Sequence, residues 1–163
     1  VEELWRHNVL TALRMSQMTA KRMIQYGQRA ELEPGTMLGS IVNISSITAQ
    51  VTRPELLGYS MAAASMDQMT RSLALALAPK GIRVNAVAFG SVMSASLQSA
   101  LKEHGDYRDQ IEAGTPLNRI ASADEIAEAV QFLASDAARF ITGQVLAVDG
   151  GRSLMDAVAA PAH

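Results

Sequence analysis

The chain has 163 residues, 48% hydrophobic and 18% charged, with a net charge of −2; this fits one packed globular domain with a sizeable core rather than two domains or a disordered chain. No Lys/Arg run offers an electrostatic footprint for nucleic acid, and no apolar run approaches the ~18 residues of a membrane span, nor is there a signal-peptide pattern. The absence of cysteine excludes disulfides, thiolate chemistry and cysteine metal sites, and fits a cytoplasmic protein.

The chain opens in mid-pattern, without an initiating Met. Val9, Leu10, Leu13, Met15, Met18, Met23 and Ile24 predict a long helix, apolar on more than one side, that ends at Gly27. The polar run through Pro34-Gly35 is a loop at the far end of the following strand from any crevice. Ser40–Ser45 reads as a short strand apolar enough to be covered on both faces. Ser46–Gly58 is a loop, and a second long helix starts at Tyr59 and stops at Pro79-Lys80-Gly81. Ile82–Val87 is the next strand, followed by a turn at Gly90 and a short helix over Ser94–Lys102. Pro116–Ala121 connects to a helix opened by a capping box, Ser122 with Glu125, which should carry Ile126, Val130, Phe132 and Leu133 inward. Gln144–Val148 is the last strand, and Gly150-Gly151 turns into an Ala-rich tail over residues 152–163.

Alternating helix and strand implies an α/β fold with a parallel sheet and crossover helices on both faces. Three strands would be a partial sheet, so residues 1–163 read as a single partial domain. A strand-end serine in such a sheet lies where ligands bind, and Tyr59, thirteen residues after Ser46, could bring its phenol over the same crevice. Taken alone, the pair could equally be a loop-capping serine and a half-buried tyrosine.

The segments IVNISS, GYS, TRSLALALAPKGIRVNAV and PLNRIASADEIAEAVQFLASDAARFITGQVLAVDGG decide between these readings, because together they resemble the short-chain dehydrogenase/reductase family from about Trp5 to Gly151. The resemblance implies the C-terminal portion of a doubly wound, Rossmann-like fold. It implies hydride transfer between NAD or NADP and a small carbonyl or alcohol substrate. It assigns Ser46 and Tyr59 to the substrate oxygen, with Tyr59 as acid/base, and Asn8 to a water-mediated proton relay. It assigns Gly90, Val92 and Ser94, with Tyr59, to the nicotinamide end of the cofactor.

Three departures stand against that pattern. The family's lysine, four residues after the tyrosine, binds the nicotinamide ribose and lowers the phenol pKa; Ala63 holds that position. A phenol in water titrates near 10, so losing the cation removes much of the acid–base match at neutral pH. Lys80 lies about six helical turns away and cannot replace it. The Gly-rich phosphate loop of the family's N-terminal half is not in this sequence, and Phe89 replaces the proline before Gly90. The alternative, from a different class, is a catalytically impaired relative serving as a binding or assembly module.

Other constellations are weaker. His7, His104 and His163 lack metal-ligand spacing. Asp124, Glu125 and Glu128 read as first-turn charges and a solvated face. Arg53 and Arg119 are either solvated loop residues or contacts for an anionic substrate. The two long helices, with Met15, Met18, Met61, Met66 and Met69, read as a pairing surface, and the resemblance implies a homo-oligomer, a dimer or tetramer.

Overall fold

A computed structural model of the chain describes residues 1–156 and 158. Its first helix is one continuous rod: α1 (Glu2–Trp5), a π-helical turn (Arg6–Leu10) and α2 (Thr11–Arg29). The Thr11 amide reaches the Arg6 carbonyl across the wider turn, so one extra residue is accommodated around Asn8. Such π turns are frequent at functional sites. The rod does not stop at Gly27. That glycine is inside the helix because Leu38 packs on it: a Cβ there would lie 2.8 Å from Leu38 Cδ2. Its sequence signal is close approach, not termination.

Three parallel strands follow in the order β1 (Gly39–Ser46), β2 (Ile82–Phe89), β3 (Val145–Val148). The register pairs Ile41 with Val84, Ser46 with Phe89, and Phe89 with Val148, which brings the carboxyl ends of all three strands to one edge. At the opposite edge the loop after α2 is tied down by the Leu38 amide donating to the Gly81 carbonyl. Gly81 adopts φ +71°, a left-handed stop that L side chains rarely adopt. The Gly27–Met37 run is therefore remote from the carboxyl edge, as expected.

Helices cover both faces of the sheet. On one face Ala20 of α2 and Ala74 of α3 (Leu57–Leu77) pack with Ile82 and Val84, joined by Met23, Ile24, Leu38, Ile41, Leu73 and Leu77. On the other, Leu133 of α6 (Ala123–Ala134) and Ala138 pack with Val87, joined by Val42, Ile126, Ala129, Val130, Ile141 and Val148. Alternate β2 residues face the two layers, so Ile82–Ala88 is buried throughout and its near-continuous apolar run is explained. Between β2 and α6 lie α4 (Ala95–Glu103) and α5 (Tyr107–Ala113).

Several expectations need correction. Helix α3 begins at Leu57, after a 3₁₀ turn at Pro54–Leu56, so Tyr59 sits within its first turn rather than at its start. Phe132 is 43% exposed while Leu133 is 1% exposed; neighbours on a helix are ~100° apart, and the inward stripe is Ile126, Ala129, Val130 and Leu133. Met66 is buried in the core, whereas Met15, Met18 and Met61 are at least half exposed. The α5 segment was not anticipated as a helix. The expected tail falls partly outside the described residues, as does His163, and Arg152–Leu154 is a 3₁₀ turn packed back on the domain.

Candidate active site

The site is placed by a polar seam between β1 and α3. Asn43 Nδ2 donates to Thr70 Oγ1 at 2.9 Å, and Ser45 Oγ donates to Asp67 Oδ1 at 2.5 Å. Asn43 and Ser45 share one face of the strand because their spacing is two. Thr70, Asp67, Ala63 and Tyr59 share one stripe of the helix because their spacing is three or four. The helix runs antiparallel to the strand, so each step up β1 is a step back along α3. Ser46, the last residue of β1, and Tyr59, about two turns back along α3 from Asp67, both lie at this end of the seam and line the same cavities.

All four seam residues are buried. Asn43 and Thr70 satisfy each other, but Asp67 is an acid taken out of water. Burial pushes its carboxyl above the ordinary value, against the opposing hydrogen bond from Ser45 and the charge of Arg71. Sequence reading missed this pair. Its signal was an acid eight residues after Tyr59 on an otherwise apolar stripe.

Two cavities open at the carboxyl edge and share Ser46, Tyr59 and Phe89 as a common wall. The larger, about 550 Å³, is also lined by Thr48, Arg53, Gly90, Tyr107, Gln110 and Arg152 among others. The smaller, about 430 Å³, lies toward the π turn and is lined by His7, Asn8, Thr11, Ser45 and Ala63 among others. The structure therefore gathers Ser46, Tyr59, Asn8 and Gly90 around one wall. Ser46 Oγ accepts from the Thr48 amide at 3.2 Å and the Thr48 hydroxyl at 3.0 Å. Both bonds use its lone pairs and leave its own proton free to be donated into a cavity. Ser46 thus caps the loop and still keeps a donor proton at a cavity wall.

Val92 and Ser94 line neither cavity. Val92 makes a parallel bridge with Ala121, and Ser94 caps α4 by accepting from the Leu97 amide at 3.2 Å. Gly90 has a packing reason: a Cβ there would stand 3.0 Å from the Asp149 Cβ. Asp149 in turn accepts from the Gly151 and Ser153 amides at 2.9 and 2.7 Å. Partial burial opposes ionisation of Asp149, and these bonds outweigh it and hold its carboxyl below the ordinary value. That knot fixes the turn after β3 and swings Arg152 into the larger cavity, where it donates to Ser91 Oγ at 2.6 Å. Arg152 was not among the residues singled out from sequence.

Arg119, in contrast, is removed from the anion-contact candidates. It makes a bidentate pair with Glu125 at 2.7 and 2.5 Å. His7 lines the smaller cavity, but no group of three metal-ligating side chains exists among the described residues. Toward a nicotinamide cofactor the residues present fit at one end only. The smaller cavity, with Asn8, Ser46 and Tyr59 on its wall, adjoins the carboxyl edge where α/β sheets hold ligands, while no phosphate cradle occurs in this sequence. No helix among the described residues is long and apolar enough to cross a membrane.

Comparison with known proteins gives one consistent answer. The family model described as enoyl-(acyl carrier protein) reductase matches residues 1–153. The cis-4-hydroxycyclohexanecarboxylate dehydrogenase of Sinomonas cyclohexanicum is 47% identical over 113 residues, covering 69% of this chain and 44% of that protein. The L-rhamnose 1-dehydrogenase (NAD(P)(+)) of a Sphingomonas species is 34% identical over 151 residues, covering 93% of this chain and 56% of that protein. Among solved structures, a gluconate 5-dehydrogenase from Burkholderia cenocepacia in complex with NADP and tartrate superposes with a TM-score of 0.80 at 29% identity, covering 93% of this chain and 57% of that one. The chain spans about half the length of the curated relatives it matches. A parallel sheet wound by helices on both faces, with a serine and a tyrosine sharing one cavity wall at its carboxyl edge, is thus matched by relatives over nearly its whole length, and the chain belongs to the short-chain dehydrogenase/reductase family.

Proposed function

We propose that this chain is the substrate-handling part of an NAD(P)-dependent oxidoreductase acting on a carbonyl/alcohol pair. The observation that carries the reading is the shared wall: Ser46 and Tyr59 face both cavities, so one cavity can hold a substrate and the other the nicotinamide end of a cofactor. The nicotinamide, when bound, supplies or accepts the hydride. Ser46 donates its free proton as a hydrogen bond to the substrate oxygen and orients it. Tyr59 gives its phenolic proton to that oxygen in reduction and takes it back in oxidation, the general acid–base role. Asn8, beside the π turn, holds a water through which that proton is replaced from solvent. Gly90, Val92 and Ser94 shape the turn against the nicotinamide, Val92 and Ser94 from outside the cavities.

Ala63 favours a second reading, a family member with weakened chemistry whose main role is binding or assembly. It lines the smaller cavity one helical turn from Tyr59, where a lysine would bring a cation beside the phenol. The half-exposed Met15, Met18 and Met61 on α2 and α3 suit a helix-pairing surface and a homo-oligomer on either reading.

The test is Ala63→Lys in the full-length protein, assayed with NAD(H) and NADP(H) on a panel of alcohols and carbonyls. The smaller cavity leaves room for the added side chain. On the oxidoreductase reading, turnover rises about 10²–10⁴-fold. Absence of turnover in both proteins, with no cofactor binding, leaves the assembly reading.

A further inference from the structure

We propose that Arg53 and Arg152 are the anion-recognising part of the larger cavity, and that the substrate handled at Ser46 and Tyr59 carries a carboxylate besides its carbonyl or hydroxyl. The assignment of a substrate rests on the oxidoreductase reading; the anion site rests on the cavity itself.

The two guanidiniums reach the cavity from distant points of the chain, one from the loop before α3 and one from the turn after β3. Both line the space that Ser46 and Tyr59 line. Arg152 is held in place by its 2.6 Å bond to Ser91 Oγ, itself a lining residue. Among the described residues neither arginine belongs to an ion pair; the arginines so engaged are Arg6, Arg108 and Arg119. Burial, and then the charge of Arg53, lower the proton affinity of Arg152, with Asp149 opposing, so the two cationic fields overlap. A guanidinium does not escape by deprotonating at working pH. Arg53 is exposed, so water screens part of that repulsion; an anion between the two planar forks, which match a carboxylate, would relieve the rest.

The charge balance selects the kind of anion. Glu55 also lines the cavity, so the two arginines leave it with one net positive charge, suited to a monoanion over a phosphate dianion. Asp149, the other acid near Arg152, is occupied by backbone amides and does not line this space. Ile47, Val51, Leu56 and Ile111 add apolar wall beside the polar Thr48, Tyr107 and Gln110, so the body of the molecule between its reacting carbon and its carboxylate is largely apolar.

The experiment is calorimetric titration of the full-length protein with cyclohexanecarboxylate and with cyclohexanecarboxamide, probes that have no carbinol to oxidise. The acid is expected to bind about tenfold tighter than the amide, with the preference weakened by salt. Arg53→Gln and Arg152→Gln should each remove most of that preference, lowering acid affinity far more than amide affinity. Should Arg152→Gln fail to fold, Ser91→Ala, which frees the Arg152 side chain, should lower acid affinity alone, by a smaller factor. Equal affinity for acid and amide, or a preference that survives both Arg53→Gln and Ser91→Ala, overturns the proposal. Turnover assays separate the two layers. Turnover of neutral alcohols with no gain for hydroxy acids keeps the oxidoreductase reading and overturns the carboxylate-bearing substrate. Arginine-dependent acid binding with no NAD(P)-linked turnover in either the native protein or Ala63→Lys, and no cofactor binding, keeps the anion site and overturns the oxidoreductase reading.

Discussion

Two helices that cover this sheet are held by carboxylates in opposite ways, α3 by a bond to β1 and the start of α6 by bonds to its own preceding connector. Asp67 anchors α3 from inside: it is buried, takes one short bond from Ser45, and is pushed toward its neutral form by burial. Glu125 anchors the start of α6 from outside, taking both Arg119 nitrogens and the Ser122 amide. Those bonds lower its carboxyl to about 2, the Arg119 hydrogen bond acting most strongly. The far end of α6 is clamped by the buried Arg83, whose guanidinium donates to the carbonyls of Leu133, Ala134, Ser135 and Ile141. The outer fastening uses ordinary helix-end chemistry, satisfying amides with a cap and carbonyls with a cation. The inner one places an acid in the core beside Tyr59's stripe, where an apolar residue would pack more easily. The inner bond ties α3 to β1, whereas the outer one orders only the first turn of α6.

The strongest way to break the outer fastening is Arg83→Ala. It strands several carbonyls at the end of α6 and should cost about 3 kcal/mol in denaturant unfolding. A loss below about 1 kcal/mol would mean that water satisfies those carbonyls in place of the clamp. Asp67→Ala leaves the Ser45 hydroxyl only its long 3.4 Å bond to the Ala63 carbonyl and should cost about 2 kcal/mol, while Asp67→Asn, which keeps an acceptor, should cost less. Equal losses would show that the charge, not the hydrogen bond, fastens α3.

pH titration of stability separates the two carboxylates by sign. Asp67, raised in the fold, contributes stability that is present at low pH and lost as pH rises through its folded value. Glu125, lowered from 4.5 to about 2, contributes stability present above 4.5 and lost as pH falls toward 2. Melting curves from pH 7 to pH 2 should therefore lose part of their acid-side decline in Glu125→Gln. Asp67→Asn should steepen that decline; identical profiles for both variants would remove the distinction. The smallest effect expected is Ser122→Ala, about 1 kcal/mol for a lost N-cap, and no change would mean that the Glu125–Arg119 pair alone orders that turn.

Much of this was legible in the residues themselves. The alternation of helices and strands, the capping box at Ser122, the stop at Gly81 and the strand-end Ser46 all report local backbone needs, which are written where they act. The match to family segments extended that to Tyr59, Asn8 and the lysine position held by Ala63. Local signals misled at Gly27, where closeness to Leu38 rather than helix termination asks for glycine, and at Phe132, which a turn of ~100° from Leu133 carries off the inward stripe.

What only the tertiary structure decided concerns groups far apart in the chain. Ser45 and Asp67, Arg83 and the end of α6, and Arg53 and Arg152 are pairings whose energy depends on a distance no local pattern encodes. Arg53 and Arg119 looked alike in sequence, as two loop arginines, yet one lines the cavity and the other is held by Glu125. The sequence settled which chemistry-bearing residues are present; folding settled which are already engaged with a partner and which remain free to meet a ligand, because that depends on the surroundings of each charge.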